Sequence, residues 1–378
     1  MAGADDHATA LAAQLREQLI DERRSAAAAG RRDQDLKPAL RGLVEREAAV
    51  LSEARREQLV ELVMRDTVGL GPLEELLRDP EVSEVMVNRH DQVYIERSGR
   101  IESTAVRFSS EQALRDAIER TLGAAGRRVD ELSPMADARL EDGSRVNVII
   151  PPLAVDGPAL SIRRFAGFRP DPDQLVESGT MPASALAILE AAVRERRSLI
   201  ISGGTGAGKT TLLNALSSFL GPDERVITIE DAAELRLAQQ HVVRLESRPA
   251  SVEGRGEVTI RDLLRNSLRM RPDRIVIGEV RGAEALDLLS ALNTGHDGVL
   301  STVHANSSRE ALQRLETLAL MADVGLPHSA IREQIGRGVD VTAHIARAAD
   351  GARRLVEIAE VVQTAAGLGT RGLWARSE

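Results

Sequence analysis

Ser198-Leu199-Ile200-Ile201-Ser202-Gly203-Gly204-Thr205-Gly206-Ala207-Gly208-Lys209-Thr210-Thr211 is the stretch whose reading decides the fold. A short apolar run leads into a full match to G-x-x-x-x-G-K-[ST], and Leu212, Leu213, Leu216 and Phe219 follow at helical spacing. Strand, glycine-rich turn and helix in that order form the context this phosphate-binding motif requires. Glycines let backbone N–H groups converge on phosphate oxygens, and the helix N-terminus adds partial positive charge. Gly203, Gly204, Thr205, Gly206, Ala207, Gly208, Lys209, Thr210 and Thr211 are therefore expected to bind the phosphates of a nucleotide. Lys209 reaches the β- and γ-phosphates, and the Thr210 hydroxyl ligates Mg2+. The dinucleotide fingerprint G-x-G-x-x-G fails, because its last position falls on Lys209 or Thr211.

Downstream, apolar strands at Arg225–Ile229, Arg274–Ile277 and Gly298–Val303 alternate with helical segments, and Ala183–Arg194 reads as a helix. Buried strands alternating with helices predict an α/β domain with a mostly parallel sheet. Asp340–Arg347 and Leu355–Gln363 add a terminal hairpin across Asp350-Gly351. Upstream the texture differs. Val82, Val85 and Val87, then Val93 and Ile95, flank Asn88-Arg89-His90-Asp91 as strand, turn and strand. Ile101–Phe108 is expected to add a strand, and Ser109 with Gln112 to cap a helix carrying Leu114, Ala117, Ile118, Thr121 and Leu122. Strands around Val146–Ile150 and Ala159–Arg164 complete a smaller α+β domain. The expected boundaries are a helical arm at 1–66, this α+β domain at 67–166, a Pro-containing linker at 167–182 and the nucleotide domain at 183–378. In the arm, Leu11, Leu15 and Leu19, then Leu36, Leu40, Leu43, Val44, Val50 and Leu51, keep roughly one helical face, with a break at Asp33–Pro38.

Hydrolysis needs carboxylates to hold a magnesium ion and position water. Glu230-Asp231 with Glu234 ends one strand and Glu279 ends another, where open parallel sheets place their ligands. His296 and His304 flank the next strand and are expected beside the phosphates, whereas His7, His90, His241, His328 and His344 read as structural. A histidine there can sense the γ-phosphate.

Composition closes off other chemistries. The chain has 378 residues and no cysteine, which removes disulfides, thiolate zinc sites, iron–sulfur clusters and cysteine nucleophiles. Its net charge is −9, with 4 Phe, 1 Trp and 1 Tyr, a poor match to a nucleic-acid coat or a base-stacking platform. No apolar run approaches a membrane span, and MAGADDHATA lacks the character of a secretory signal, so a cytosolic protein is expected.

In chain order, the P-loop, ITIEDAAEL (Ile227–Leu235), RPDRIVIGEVRG (Arg271–Gly282) and TGHDGVLSTVHAN (Thr294–Asn306) resemble the boxes of the type II/IV secretion ATPase superfamily. Leu70–Asn88 and Glu141–Phe165 are similar to its tight-adherence (Flp) pilus assembly branch, the CpaF/TadA-like ATPases. The resemblance spans about residues 67–365. It implies a RecA-like ATPase domain and a smaller N-terminal domain that clamp ATP, in a homo-hexamer using Mg2+. It further implies a motor at the inner face of the cytoplasmic membrane, associated with it through an inner-membrane platform protein and holding no stable nucleic acid. A type IV secretion or conjugation ATPase is the alternative, and a RecA-like nucleic-acid motor or a nucleotide switch stands further off. On matching positions, Glu279 and Glu230 (with Glu234 behind them) orient water or metal, and His304 and His296 form the histidine box. Arg145 and Arg163 fall where relatives supply arginines to the nucleotide, with Arg139 and Arg164 as near alternatives. Gly278 stands where many NTPases carry a metal-binding Asp. Zero cysteines excludes the subtype with a tetra-cysteine zinc module.

Overall fold

The computed structural model describes residues 11, 14, 15, 18, 36–68, 70–97, 99–140, 142–165, 171–250, 255–348, 350–364 and 367–376. The chain divides into two compact units, residues 1–166 and 167–378.

In the first unit, helices Leu36–Glu47 and Glu53–Val68 pack through Leu40, Leu43, Val44, Leu59, Val60 and Val63, joined by Leu15. The break between them falls at residues 48–52, and Pro38 is tolerated near the start of the first helix. Val50 lies in that turn and is 97% exposed, so it leaves the apolar face expected of it. Leu19 lies outside the described residues. The arm belongs to the same unit as the sheet that follows it.

That sheet runs β3-β2-β1-β6-β5-β4 and is antiparallel throughout. Its strands are β1 (Val82–Arg89), β2 (Gln92–Arg97), β3 (Arg100–Ser103), β4 (Met135–Arg139), β5 (Arg145–Ile149) and β6 (Ala159–Arg163). One face buries Val85, Val87, Val93, Ile95, Val146, Val148, Leu160 and Ile162 against Leu114, Ala117, Ile118 and Leu122 of helix Glu111–Ala124. The N-cap of that helix is Ser110, one residue later than expected, accepting from the Ala113 N–H at 3.1 Å. Gln112 instead donates to Asp116 at 2.9 Å. The strand expected over Ile101–Phe108 stops at Ser103, because Thr104 turns to bond the Val93 carbonyl and Phe108 N–H reaches the His90 carbonyl.

The second unit holds β7 (Leu199–Ser202), β8 (Val226–Glu230), β9 (Val242–Glu246), β10 (Arg274–Val280), β11 (Leu300–Val303), β12 (Val341–Arg347), β13 (Arg353–Thr364) and β14 (Gly367–Ala375), ordered β14-β13-β12-β7-β11-β10-β8-β9. From β12 to β9 every pairing is parallel, and β13 and β14 add an antiparallel edge. Strands β7, β8 and β11 are buried at every residue, as apolar runs covered on both faces must be. Within the expected linker, residues 167–170 lie outside the described set. The remainder is anchored to the core: helix Pro172–Glu177 starts in a capping box between Asp171 and Gln174, and Leu175 and Met181 are buried with Leu189 and Leu212.

Candidate functional site

The site lies at the C-terminal edge of the parallel sheet. After β7 the chain enters the P-loop and then helix Lys209–Leu216, whose N-terminus has no side-chain cap. The uncapped N–H groups of Lys209–Leu216 remain for an anion. Gly208 precedes the helix at φ +99°, a conformation that a side chain would strain. Gly203 is needed for a different reason: a Cβ there would stand 2.3 Å from the Ile345 carbonyl oxygen. Lys209 is buried, and its ammonium donates to the Gly203 and Gly204 carbonyls at 3.0 and 3.1 Å. Its charge is thus aimed back over the loop that would cradle phosphate.

The carboxylates come from strands β8 and β10, paired in parallel so that Ile229 lies opposite Ile277. Glu230 is 3% exposed. Its Oε1 accepts the Glu234 and Leu235 N–H groups at 2.9 Å each, while Oε2 is buried with no hydrogen-bond partner among the described residues. Burial pushes the carboxyl up to about 7, against the two backbone N–H bonds that favour the charged form. The space beside Glu230 accounts for Gly278: a Cβ there would sit 3.0 Å from Glu230 Cγ. An aspartate at 278 and the glutamate at 230 cannot both fit without rearrangement.

Glu279 is re-aimed by a β-bulge. Between β10 and β11 the register passes from Ile277 opposite Ser301 to Val280 opposite Val303, which leaves Gly278 and Glu279 facing Thr302. Thr302 Oγ1 fixes the Gly278 carbonyl at 2.8 Å. Arg281 donates to both Glu279 oxygens, at 3.0 and 3.3 Å, and lies 3.3 Å from Asp231. Hydrogen bonding to Glu279 holds the Arg281 guanidinium above its ordinary value. His304 Nε2 stands 3.9 Å from Glu279 Oε1. Burial first, then the Lys209 charge, lowers the His304 imidazole and so favours its neutral form. Lys209, Glu279, Arg281 and His304 thus form one electrostatic neighbourhood. Arg281 is the member that reading the sequence missed; its position two residues after Glu279, on the same side of a strand end, was the available signal.

His296 is not part of it. Strand β11 runs parallel to β7, and His296 precedes β11 while His304 follows it, so the two imidazoles belong to opposite edges of the sheet. Gly298, two residues on, packs against Arg274 and Arg196, at the starts of β10 and β7. Placing His296 among the phosphate-binding residues is corrected accordingly. His344, read as structural, sits directly behind the P-loop, with Nδ1 3.0 Å from Ser202 Oγ. Burial lowers its imidazole.

In the first unit, Arg139, Arg145 and Arg163 are direct cross-strand neighbours on β4, β5 and β6. Val146, Val148, Leu160 and Ile162 are buried, so this arginine row lies on the face opposite the core. Like charges directly opposite one another cost stability, which suits a row that meets an anion. Arg164 has another task, donating to the Asp79 and Val82 carbonyls.

The residues fit a triphosphate: an uncapped helix N-terminus, a buried ammonium and carboxylates on one edge. Among the described residues no three His, Asp or Glu groups converge to hold a cation alone. A magnesium ion would therefore rest mainly on phosphate oxygens, water and Thr210.

Residues 66–365 match the family described as T2SSE, type II/IV secretion system protein. The chain belongs to that family. It is an ATP-hydrolysing enzyme of the type II/IV secretion-system family, with a RecA-like ATPase domain and a smaller N-terminal domain. Among its relatives, "Putative conjugal transfer protein Rv3659c" of Mycobacterium tuberculosis is 42% identical over 80% of this chain and 87% of its own length. Conjugal transfer protein TrbB of Rhizobium radiobacter is 35% identical over 75% of this chain and 85% of its own length. The solved ATPase DotB of Legionella pneumophila has a TM-score of 0.55 at 22% identity, over 78% of this chain and 80% of that one, and speaks for the fold alone. Among the described residues of this secretion ATPase, no helix is long and apolar enough to cross a membrane.

The Glu230 carboxyl makes stability depend on pH. Its folded value of about 7 lies above the ordinary 4.5, so between those limits the folded chain binds more protons than the unfolded one. Stability therefore falls as pH rises through that window, by roughly 3 kcal/mol from this group. Glu230→Gln should flatten the fall in the urea unfolding midpoint of the ligand-free protein between about pH 4.5 and pH 7. An equal fall in variant and wild type would contradict the buried, protonated carboxyl.

Proposed function

We propose that this secretion ATPase drives a type IV secretion or conjugal transfer machine, as a homo-hexameric ring at the cytoplasmic face of a membrane. The clustering of Lys209, Glu230, Glu279 and His304 on one sheet edge carries the reading, and the names of its relatives favour transfer and secretion over pilus assembly. Lys209, the P-loop amides and Thr210 bind Mg-ATP. The magnesium ion, when bound, neutralises developing charge on the phosphates. Glu279 turns away from Arg281 to orient the attacking water, and Glu230 beneath it supports the arrangement. His304 registers the γ-phosphate. Arg145 and Arg163 are further candidate nucleotide-binding residues, and a membrane platform protein receives the conformational change that accompanies hydrolysis.

The tight-adherence pilus branch is the second reading, favoured by the Leu70–Asn88 and Glu141–Phe165 segments. Neighbouring genes separate the two: prepilin genes favour the pilus, and relaxase genes favour transfer. Ring function is tested by specific ATPase activity against protein concentration, with sedimentation on the same samples. Activity per chain should rise as hexamers form. Full activity from a strictly monomeric protein would contradict the ring.

A further inference from the structure

The P-loop has a flank that the hydrolytic groups leave unused. Glu279, Arg281 and His304 all lie at the ends of β10 and β11, on one side of β7. On the other side, β12 pairs in parallel with β7 and leads through Asp350-Gly351 into β13. A register shift at His344–Ile345 accompanies the approach of the Ile345 carbonyl to Gly203. Arg353, the first residue of β13, lays its stem over Gly208: a Cβ built on that glycine would stand 3.1 Å from Arg353 Cδ and 3.9 Å from its Cβ. The residue is exposed. Among the described residues no carboxylate pairs with its guanidinium, whereas the adjacent Arg354 is tied to Asp350.

A triphosphate whose terminal group faces Glu279 and His304 crosses the helix N-terminus and leaves its nucleoside over the opposite flank. A base there needs a flat partner, and aromatic rings are scarce. Among the described residues of this unit, Phe219 lies under Arg194, 5.7 Å from its guanidinium carbon, and Trp374 packs against the core. An arginine plane stacks on aromatic faces as a ring does and adds cation–π attraction.

We propose that Arg353 is a nucleoside-binding residue of this ATPase, its guanidinium lying over the base of ATP at the mouth of the P-loop. The proposal rests on ATP binding at the P-loop, which wild-type turnover checks separately. Arg353→Met keeps the stem on Gly208 and removes the plane; Arg353→Lys keeps the charge and removes the plane. Steady-state kinetics with Mg-ATP, with tripolyphosphate as competitive inhibitor, read the effect. In Arg353→Met the KM for ATP should rise about 10-fold, with kcat within about 2-fold and tripolyphosphate inhibition unchanged. Arg353→Lys should resemble Arg353→Met. An unchanged KM overturns the proposal. So does a parallel weakening of tripolyphosphate, which assigns Arg353 to loop support, or full rescue by lysine, which assigns it to a phosphate. Absence of ATP turnover in the wild type would instead remove the ATPase reading beneath it.

Discussion

Lys209→Ala should lower kcat/KM for ATP by at least ~10³-fold, because a buried ammonium aimed at transferring phosphates acts where water screens it least. Lys209 donates to two neutral carbonyls, those of Gly203 and Gly204. Phosphate oxygens are the stronger acceptors, so the ammonium gains when it exchanges them. The alanine variant loses that exchange. Nucleotide affinity should fall along with turnover, and fluorescent-nucleotide titration beside phosphate-release kinetics measures both. Retained activity would place the phosphates somewhere other than this loop.

The second large effect belongs to Glu279→Gln. The amide keeps the shape of the side chain and loses its power to orient water by charge, so kcat should drop ~100-fold or more while ATP still binds. Arg281 keeps Asp231 as a charge partner 3.3 Å away, which limits collateral disorder. Single-turnover quench kinetics with bound ATP isolate the chemical step. Near-normal turnover would remove Glu279 from the reaction and leave Glu230 to act on water.

Much of the second unit was legible because its physics is local. The run Leu199–Ile201 before a glycine-rich turn specifies strand, loop and helix within a few residues, and helix Ala183–Arg194 carries its pattern unbroken. Strand β4 was missed since Met-Ala-Asp-Ala-Arg has little β-branched or aromatic content, and β14 since Gly367, Gly369 and Gly372 interrupt it. Both are edge strands, held by pairing with a neighbour rather than by their own propensity. The site was legible as a set of C-terminal strand ends, because the P-loop follows β7 and a parallel sheet brings the ends of β8, β10 and β11 to the same edge. By that rule His296, which precedes β11, falls on the opposite edge from His304. Gly278 was visible as a departure and became intelligible only through Glu230, which reaches it from a neighbouring strand. Arg353 gives no signal in the sequence. Its approach to Gly208 is made by a hairpin that starts far along the chain.

Determining the structure of the full chain with magnesium and a non-hydrolysable ATP analogue tests the central claim most directly. The account predicts the terminal phosphate between the Lys209 ammonium and the Glu279 carboxylate, with His304 beside it and Arg281 displaced from Glu279. A nucleotide bound with its phosphates away from Lys209, or an Arg281–Glu279 pair left intact beside the terminal phosphate, would contradict it.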